Sequence, residues 1–525
     1  MDMDEAHPET MPNETDPSRV WAAIAGTVAV GSALAVSQLL AGLSSSIPSL
    51  VISVGGVIVD FTPLTLVRAS IEVFGTNDKP ALLIGIVVTA LVIGGLLGVL
   101  AASRRWIGVV GFAVFGIFGA WAGVRDPMAS TIGAVFAAAV ASAVGIGVLL
   151  WLLSAAQAAA TAENDLAYAD DRRRFIGGVV AIGIVAVVGA VVGRMLDARS
   201  IVEAARANIS LATWATTGTV TAGLSTTAYP GLSPLYTPNE TFYKIDTALD
   251  VPQVDPEGWR LRFTGMVDNP FELTFDELLA LPMVEQTITL CCVSNKVGGR
   301  LVGNARWLGV PLQELLNEAG VQPGATQIVG RSVDDFTVGF PTAVLEGGRP
   351  ALVAVGMNGE PLPADHGFPA RLVVSGLYGY VSATKWLTEI EMTTLEDFDA
   401  YWIPRGWAKD GPVKTQSRID TPREGRSVSP GIVAIAGVAW AQSRDVAGVE
   451  VQVDDRPWVD AELSERISEN AWRQWVYPWD ADLGTHRVRV RATDGTGETQ
   501  TEEMQSPRPD GASGYHTITV EVASA

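Results

Sequence analysis

Cysteine is almost absent from this sequence. Two of 525 residues carry a thiol, and they are neighbours, Cys291 and Cys292. There is no Cys-x-x-Cys pair, which excludes zinc ribbons and disulfide scaffolds. The neighbours cannot bridge each other in ordinary geometry, because adjacent Cα atoms lie about 3.8 Å apart and a disulfide spans roughly 4.4–6.8 Å. Two readings stay open for the pair: small buried hydrophobes on a strand, or a thiolate that binds a soft metal or attacks a substrate. Histidine is scarce as well, at His7, His366, His486 and His516. Lys and Arg number 36 against 57 Asp and Glu, for a net charge of −21. Binding a phosphate backbone needs clustered cations, so nucleic acid is excluded as a partner. No repeat recurs at solenoid periods.

Apolar residues, by contrast, are abundant: 48% of the chain is hydrophobic and the mean hydropathy is +0.27. The length allows about three domains. Five apolar runs stand out at residues 20–43, 81–102, 106–124, 131–153 and 175–192. Each has the roughly 18–25 residues that a helix needs to cross a bilayer. A further patch, SLVISVGGVIVDFTPLTLVRASIEVF, is interrupted by Asp60 and Pro63 and reads as an interfacial or external helix. None of the histidines falls in a span, so no haem ligand is offered there. The span cores lack Asp, Glu and Lys, so no proton path is evident. The helices therefore read as an anchor. Arg104 and Arg105 follow the second span, and Arg172, Arg173 and Arg174 precede the fifth. Basic loops face the cytoplasm. The expectation is a cytoplasmic tail at 1–19, an anchor at 20–196, and everything beyond it outside the cell membrane. The stretch DRRRFIGGVVAIGIVAVVGAVVG has two open readings, an ordinary positive-inside anchor or an internal twin-arginine export signal.

A linker is expected at 197–238, because TTGTVTAGLSTTAYPGLSPLYTP is rich in Gly, Ser, Thr and Pro with little to bury. From Asn239 to about Gly425 the pattern is mixed α+β. WRLRFTGMV and VEQTITLCCVSN alternate as strands. Thr274 with Glu277 three residues on marks a helix start, and VPLQELLNEAGV is a helix closed by Gly320. PARLVVSGLYGYVSATKWLTEIEMTTL holds two strands around a Gly-rich loop. From 426 to 525, VAIAGVAWA, GVEVQVDDRPW and THRVRVRATDGTG alternate, with Val449, Val451 and Val453 on one face and Arg487, Arg489 and Arg491 facing out. This predicts a β-sandwich of immunoglobulin-like type without its disulfide.

The ordered set NETFYKIDTALDVPQVDPEGWRLRFTGMV, TITLCCVSN, NARWLGVPL and MNGEPLPADHGFPARLVVSGLYGYVSATKWLTEI resembles the molybdopterin-binding domain of the sulfite oxidase family. The resemblance implies a molybdenum–molybdopterin cofactor, with Cys292 as the metal-binding thiolate and Cys291 as packing. It implies pterin contacts from Asn239, Tyr243 and Lys244 in NETFYK and from His366 and Arg371 in DHGFPAR, the arginine suiting the terminal phosphate. Ser382, Ala383 and Lys385 match the following cofactor loop. Ser332 and Asp334, in GRSVDDF, are further candidates for the lining of the same cavity. The tail resembles the dimerisation domain of that family, which implies a homodimer.

Departures from the family pattern bear on substrate. VSNKVGG follows Cys292 where sulfite oxidases carry an Asn-Arg-Arg run, and DDFTVGFP offers Phe336 or Val338 in place of a tyrosine. A Lys- and Trp-containing insert seen in the family between the cysteine and the ARW segment is missing. Lys244, a catalytic candidate, stands where an anion-binding arginine is usual, and it cannot form the same bidentate contact. The expected function is oxygen-atom transfer on a small-molecule or protein sulfoxide or an oxyanion, with sulfoxide reduction rivalling sulfite oxidation and a separate electron carrier as partner. The competing class is a non-catalytic membrane-anchored binding module that retains the fold.

Overall fold

A computed structural model of the chain describes residues 17–44, 46–74, 77–160, 165–198, 201–211 and 223–524. Residues 1–16 of the expected tail and residues 199–200 and 212–222 of the expected linker lie outside the described residues. The chain divides into two compact units, one ending at Ser200 and one beginning at Ile201.

In the first unit, among the described residues, five helices are long and apolar enough to cross a membrane: Arg19–Leu43, Asp78–Ser103, Arg105–Val124, Thr131–Ala158 and Ala169–Met195. They contain the five runs read from sequence. Leu50–Phe61 and Leu64–Phe74 are shorter helices separated at Thr62 and Pro63. Large apolar side chains such as Ile117, Ile132 and Val185 are exposed, an arrangement that suits a lipid surround better than water. Small residues line the contacts between helices. A Cβ on Gly26 would stand 2.0 Å from the Gly94 carbonyl oxygen, so these two helices meet backbone to backbone.

The second unit opens with a short helix, Ile201–Asn208, tied down by Arg206, which donates to the carbonyls of Pro361 and Leu362. Residues 223–238 are packed rather than free: Leu232 and Leu235 are buried, and Leu224 N–H donates to Gln474 Oε1. Two sheets follow. One runs in the order Phe271–Thr274, Arg260–Gly265, Leu387–Thr393, Gln327–Ser332, Thr337–Pro341. The other runs Val284–Cys291, Val302–Pro311, Ala351–Met357, Glu360–Pro361, with Arg371–Val374 also paired to Ala351–Met357. One apolar core joins them, with Trp307, Trp386, Phe263, Phe340 and Phe368 fully buried. Thr274 caps the helix Phe275–Ala280 through a reciprocal bond with Glu277, and Gly320 closes Leu312–Ala319 in the left-handed region.

The remaining strands form two facing sheets, Gln416–Thr421, Gly431–Trp440, Arg473–Ala481, Glu462–Leu463 and Ser427–Val428, His516–Val522, Gly484–Asp494, Val446–Val453, Val459–Asp460. Ile435, Trp475 and Trp479 of one sheet pack on Val449, Val451, Val488, Val490 and Val520 of the other. The alternation read from sequence thus becomes the inner faces of a sandwich.

His516 joins the two sheets. Its Nδ1 accepts from Ile419 N–H at 2.9 Å, and burial lowers its pKa to about 4. The folded protein therefore holds His516 neutral while the unfolded chain takes up a proton near pH 6.5. The stability this contributes is present above pH 6.5 and is lost as the pH falls from 6.5 towards 4, to an extent of about 3 kcal/mol. Denaturant unfolding of His516→Gln should show a flatter acid limb across that window. An unchanged slope would remove His516 as its cause.

Candidate active site

The strand Val284–Cys291 turns increasingly inward along its length, with Ile288, Leu290 and Cys291 buried in the apolar core. Alternation sends the next side chain the other way. Cys292 lines a cavity, whereas Cys291 is core, its Sγ 3.5 Å from the Cys292 carbonyl oxygen. The chain then makes a closed loop: Cys292 N–H donates to Leu301 O, Asn295 N–H to Cys292 O, and Leu301 N–H to Asn295 Oδ1.

Of the residues singled out from sequence, Tyr243, Cys292, Ser332, Asp334, Phe336, Arg371, Ala383 and Lys385 share the wall of this one cavity. Arg371 opens the strand Arg371–Val374, reached through a turn at Gly367. That glycine has φ of +107°, and a Cβ there would stand 3.0 Å from Lys385 Cα, so only glycine fits. Asn239, Lys244, His366 and Ser382 do not line the cavity. Asn239 Nδ2 donates to Met357 O and Glu360, its Oδ1 accepts from Asn358, and its carbonyl meets His366 Nε2 at 2.8 Å. Ser382 Oγ donates to Tyr378 O at 3.0 Å. The Lys244 ammonium pairs with the Asp365 carboxylate on a side chain 44% exposed.

Arg371 is buried, its guanidinium lying 5.0 Å over the Trp307 ring. Burial lowers its pKa to about 10, so it stays cationic at neutral pH. Nη1 donates to His366 O at 3.1 Å, and Nε has no hydrogen-bond partner. Lys385 Nζ donates to Asp246 Oδ2 and to Asp365 O, both at 2.8 Å. Burial lowers its pKa, which the Asp246 charge opposes. Burial lowers His366 to about 4. The neutral ring must then donate from Nε2 to the Asn239 carbonyl, which leaves Nδ1 as a buried acceptor without a donor. Burial pushes the Cys292 thiol up, and the Tyr243 phenol and Asp334 carboxyl likewise.

The lining residues that the sequence did not single out include Asp246, Tyr380, Trp386, Trp402 and Trp407. Trp386 has φ of +50°, a strained setting for a bulky residue, held by its Nε1–H donating to Ala364 O at 2.8 Å. The run YWIPRGW, dense in aromatic residues, was the available signal for Trp402 and Trp407.

A molybdenum–molybdopterin group fits this donor set. A buried guanidinium short of acceptors costs free energy unless an anion meets it, and a phosphate supplies acceptors. A thiol kept protonated by burial becomes a ligand when a metal cation replaces its proton. Among the described residues no three metal-ligating side chains converge, so a metal at Cys292 draws most of its donors from a non-protein group.

Comparison with known proteins agrees. Residues 248–402 match the family described as oxidoreductase molybdopterin binding domain. Mitochondrial sulfite oxidase of Homo sapiens is 31% identical over 301 residues, covering 48% of this chain and 55% of the human protein. The Drosophila melanogaster protein of the same name is 29% identical over 345 residues, 55% of this chain and 59% of that one. Sulfite oxidase of Arabidopsis thaliana is 27% identical, covering 52% and 84%. The chain thus spans somewhat over half the length of the animal relatives it matches. Among solved structures, the sulfane dehydrogenase SoxCD of Paracoccus pantotrophus has a TM-score of 0.49 at 23% identity, covering 56% of this chain and 85% of that one.

Proposed function

We propose that this chain, whose residues 248–402 match the oxidoreductase molybdopterin binding domain and which is similar to sulfite oxidases, is a membrane-anchored molybdenum enzyme of the sulfite oxidase family working outside the cytoplasm, where it transfers an oxygen atom on a small sulfur-containing substrate. The observation that carries this reading is the Cys292 thiol sharing a cavity wall with the buried, acceptor-poor Arg371.

When bound, the cofactor supplies a metal centre that exchanges two electrons and one oxygen atom with the substrate. Cys292 holds the metal. Arg371 and Lys385 hold the anionic end of the pterin, with Ser332, Ala383 and Tyr243 completing the wall. His366 and Asn239 back that wall as one hydrogen-bonded pair, and Ser382 fixes the loop behind Ala383. Lys244, held at the surface by Asp365, does not supply the forked cation that would seat a sulfite-type dianion. Phe336, Trp402 and Trp407 give the cavity an apolar flank, and Lys385 is already paired with Asp246, which leaves it less charge to offer a second anion. These features support sulfoxide reduction over sulfite oxidation.

The arginines at 104–105 and 172–174, which flank apolar helices found among the described residues, support an outside location for the second unit. The arginine run also supports twin-arginine export, which carries domains already folded around a cofactor. A separate one-electron carrier and an immunoglobulin-like dimerisation role for the sandwich complete the reading, both resting on the family likeness.

The test is metal analysis of protein made in a cofactor-competent host, followed by a panel of sulfoxides and sulfite with artificial electron carriers. Molybdenum is expected, with kcat/KM higher for a sulfoxide than for sulfite. Protein without molybdenum sinks the enzyme reading in favour of a binding module, and a preference for sulfite sinks the substrate reading alone.

A further inference from the structure

The strand that delivers the cysteines is the last of its sheet, so one of its edges has no strand beside it in that sheet. That edge is satisfied by the C-terminal sandwich. Thr289 N–H donates to Asn470 O at 2.9 Å, and Thr289 O accepts from Gln442 Nε2 at 2.9 Å. Thr289 Oγ1 accepts from Trp472 N–H at 2.7 Å, and Thr287 O accepts from Ser468 Oγ at 3.2 Å. Buried edge groups left unpaired would each carry a desolvation cost. The sandwich therefore does for this strand what a neighbouring strand would do.

Beyond the strand, the loop from Cys292 to Leu301 rests on the same partner. Arg418, buried on the strand Gln416–Thr421, donates from Nη1 to Gly299 O at 2.9 Å. Its Nε goes to Asp420 Oδ1 at 2.6 Å and its Nη2 to Ser233 Oγ at 2.9 Å, so the guanidinium is fixed on three sides. Gly298, at φ +74°, abuts His516, with a Cβ position only 2.2 Å from Nε2. The aromatic wall across the cavity is gripped in a parallel way. Arg508 donates to the carbonyls of Arg405 and Gly406 at 2.6 and 3.0 Å, and Ala408 N–H donates to Pro509 O at 3.1 Å. Arg405 and Gly406 lie between the lining residues Trp402 and Trp407.

We infer that the C-terminal sandwich is a positioning element for both walls of the cavity, with Arg418 setting the loop that follows Cys292 and Arg508 setting the loop that carries Trp402 and Trp407. Its catalytic meaning rests on the proposed function, although the two grips can be measured without the metal.

The experiment uses the full-length protein from a cofactor-deficient host. Gly298→Ala, whose Cβ would push the loop off His516 and so off Arg418, should raise the alkylation rate of Cys292 about tenfold, the change expected when the Arg418–Gly299 contact, worth roughly 1.4 kcal/mol, is lost. Cys291 is the internal control and stays unlabelled. Arg508→Gln should leave that rate unchanged while accelerating tryptic cleavage after Arg405. In loaded enzyme the division repeats: Gly298→Ala alters the metal's spectroscopic signature with little change in KM, and Arg508→Gln raises KM with the signature intact. If Gly298→Ala does not fold, Arg418→Lys, which keeps the charge beside Asp420, takes its place. Wild-type labelling in the folded loop variant overturns the inference. So does a pair of variants that shift both readouts equally, because that is general loosening. Molybdenum missing from wild-type protein overturns the proposed function and leaves the two grips to be judged by labelling and proteolysis.

Discussion

Cys292→Ser yields a folded protein that retains no molybdenum and has lost more than about a hundredfold of its activity. Removing a group that only supports a metal ligand typically costs about 10–100-fold in affinity or rate, and removing the ligand itself exceeds that. The serine hydroxyl is a hard, protonated donor and a poor substitute for a soft thiolate. Cys291→Ala is the matched control. Its sulfur lies in the core and not on the cavity wall, so it costs about 1 kcal/mol of stability and keeps the metal. Metal content and melting temperature of the two variants decide the matter. Metal loss from the Cys291 variant together with retention in the Cys292 variant would reverse the assignment.

Trp307→Ala destabilises the second unit by about 3–5 kcal/mol, the cost of removing a fully buried indole. The side chain has no exposed surface. Its Nε1–H donates to Ile288 O at 3.1 Å, and its ring meets Phe242 edge-on at 5.9 Å. It is also the floor beneath Arg371. The variant therefore loses cofactor out of proportion to its lost stability, because a guanidinium without its aromatic support is no longer held at the cavity. Trp307→Phe keeps a ring there and loses only the indole hydrogen bond to Ile288 O, whose strand pairing with Ala305 remains, for about 0.5–1.5 kcal/mol. Denaturant unfolding with metal analysis separates the two effects. A stable Trp307→Ala protein with full metal content would remove this role.

Much of the scaffold was legible from pattern. The five apolar helices follow from run length, the sandwich from alternation, and the helix at Phe275 from the Thr274–Glu277 pair, each a signal confined to a few neighbouring residues. The placement of Cys292 on the wall and Cys291 in the core came from the family resemblance, and the period of two along a strand accounts for it. What stayed hidden depends on distant partners. Lys244 meets Asp365, and Asn239 spends its amide on Asn358, Glu360 and Met357, contacts that no local window contains. Leu232 and Leu235 are single apolar residues in a Gly-, Ser- and Thr-rich stretch. They show no period, and so residues 223–238 read as a tether although they are packed.

The outermost strand of the cysteine-bearing sheet has a further consequence for anyone who would trim this protein. A chain cut after residue 425 would bare the row of amides and carbonyls at Thr287 and Thr289, next to Ile288 and Leu290. Such an edge is a template for pairing with another copy. The isolated fragment should therefore aggregate rather than behave as a smaller enzyme.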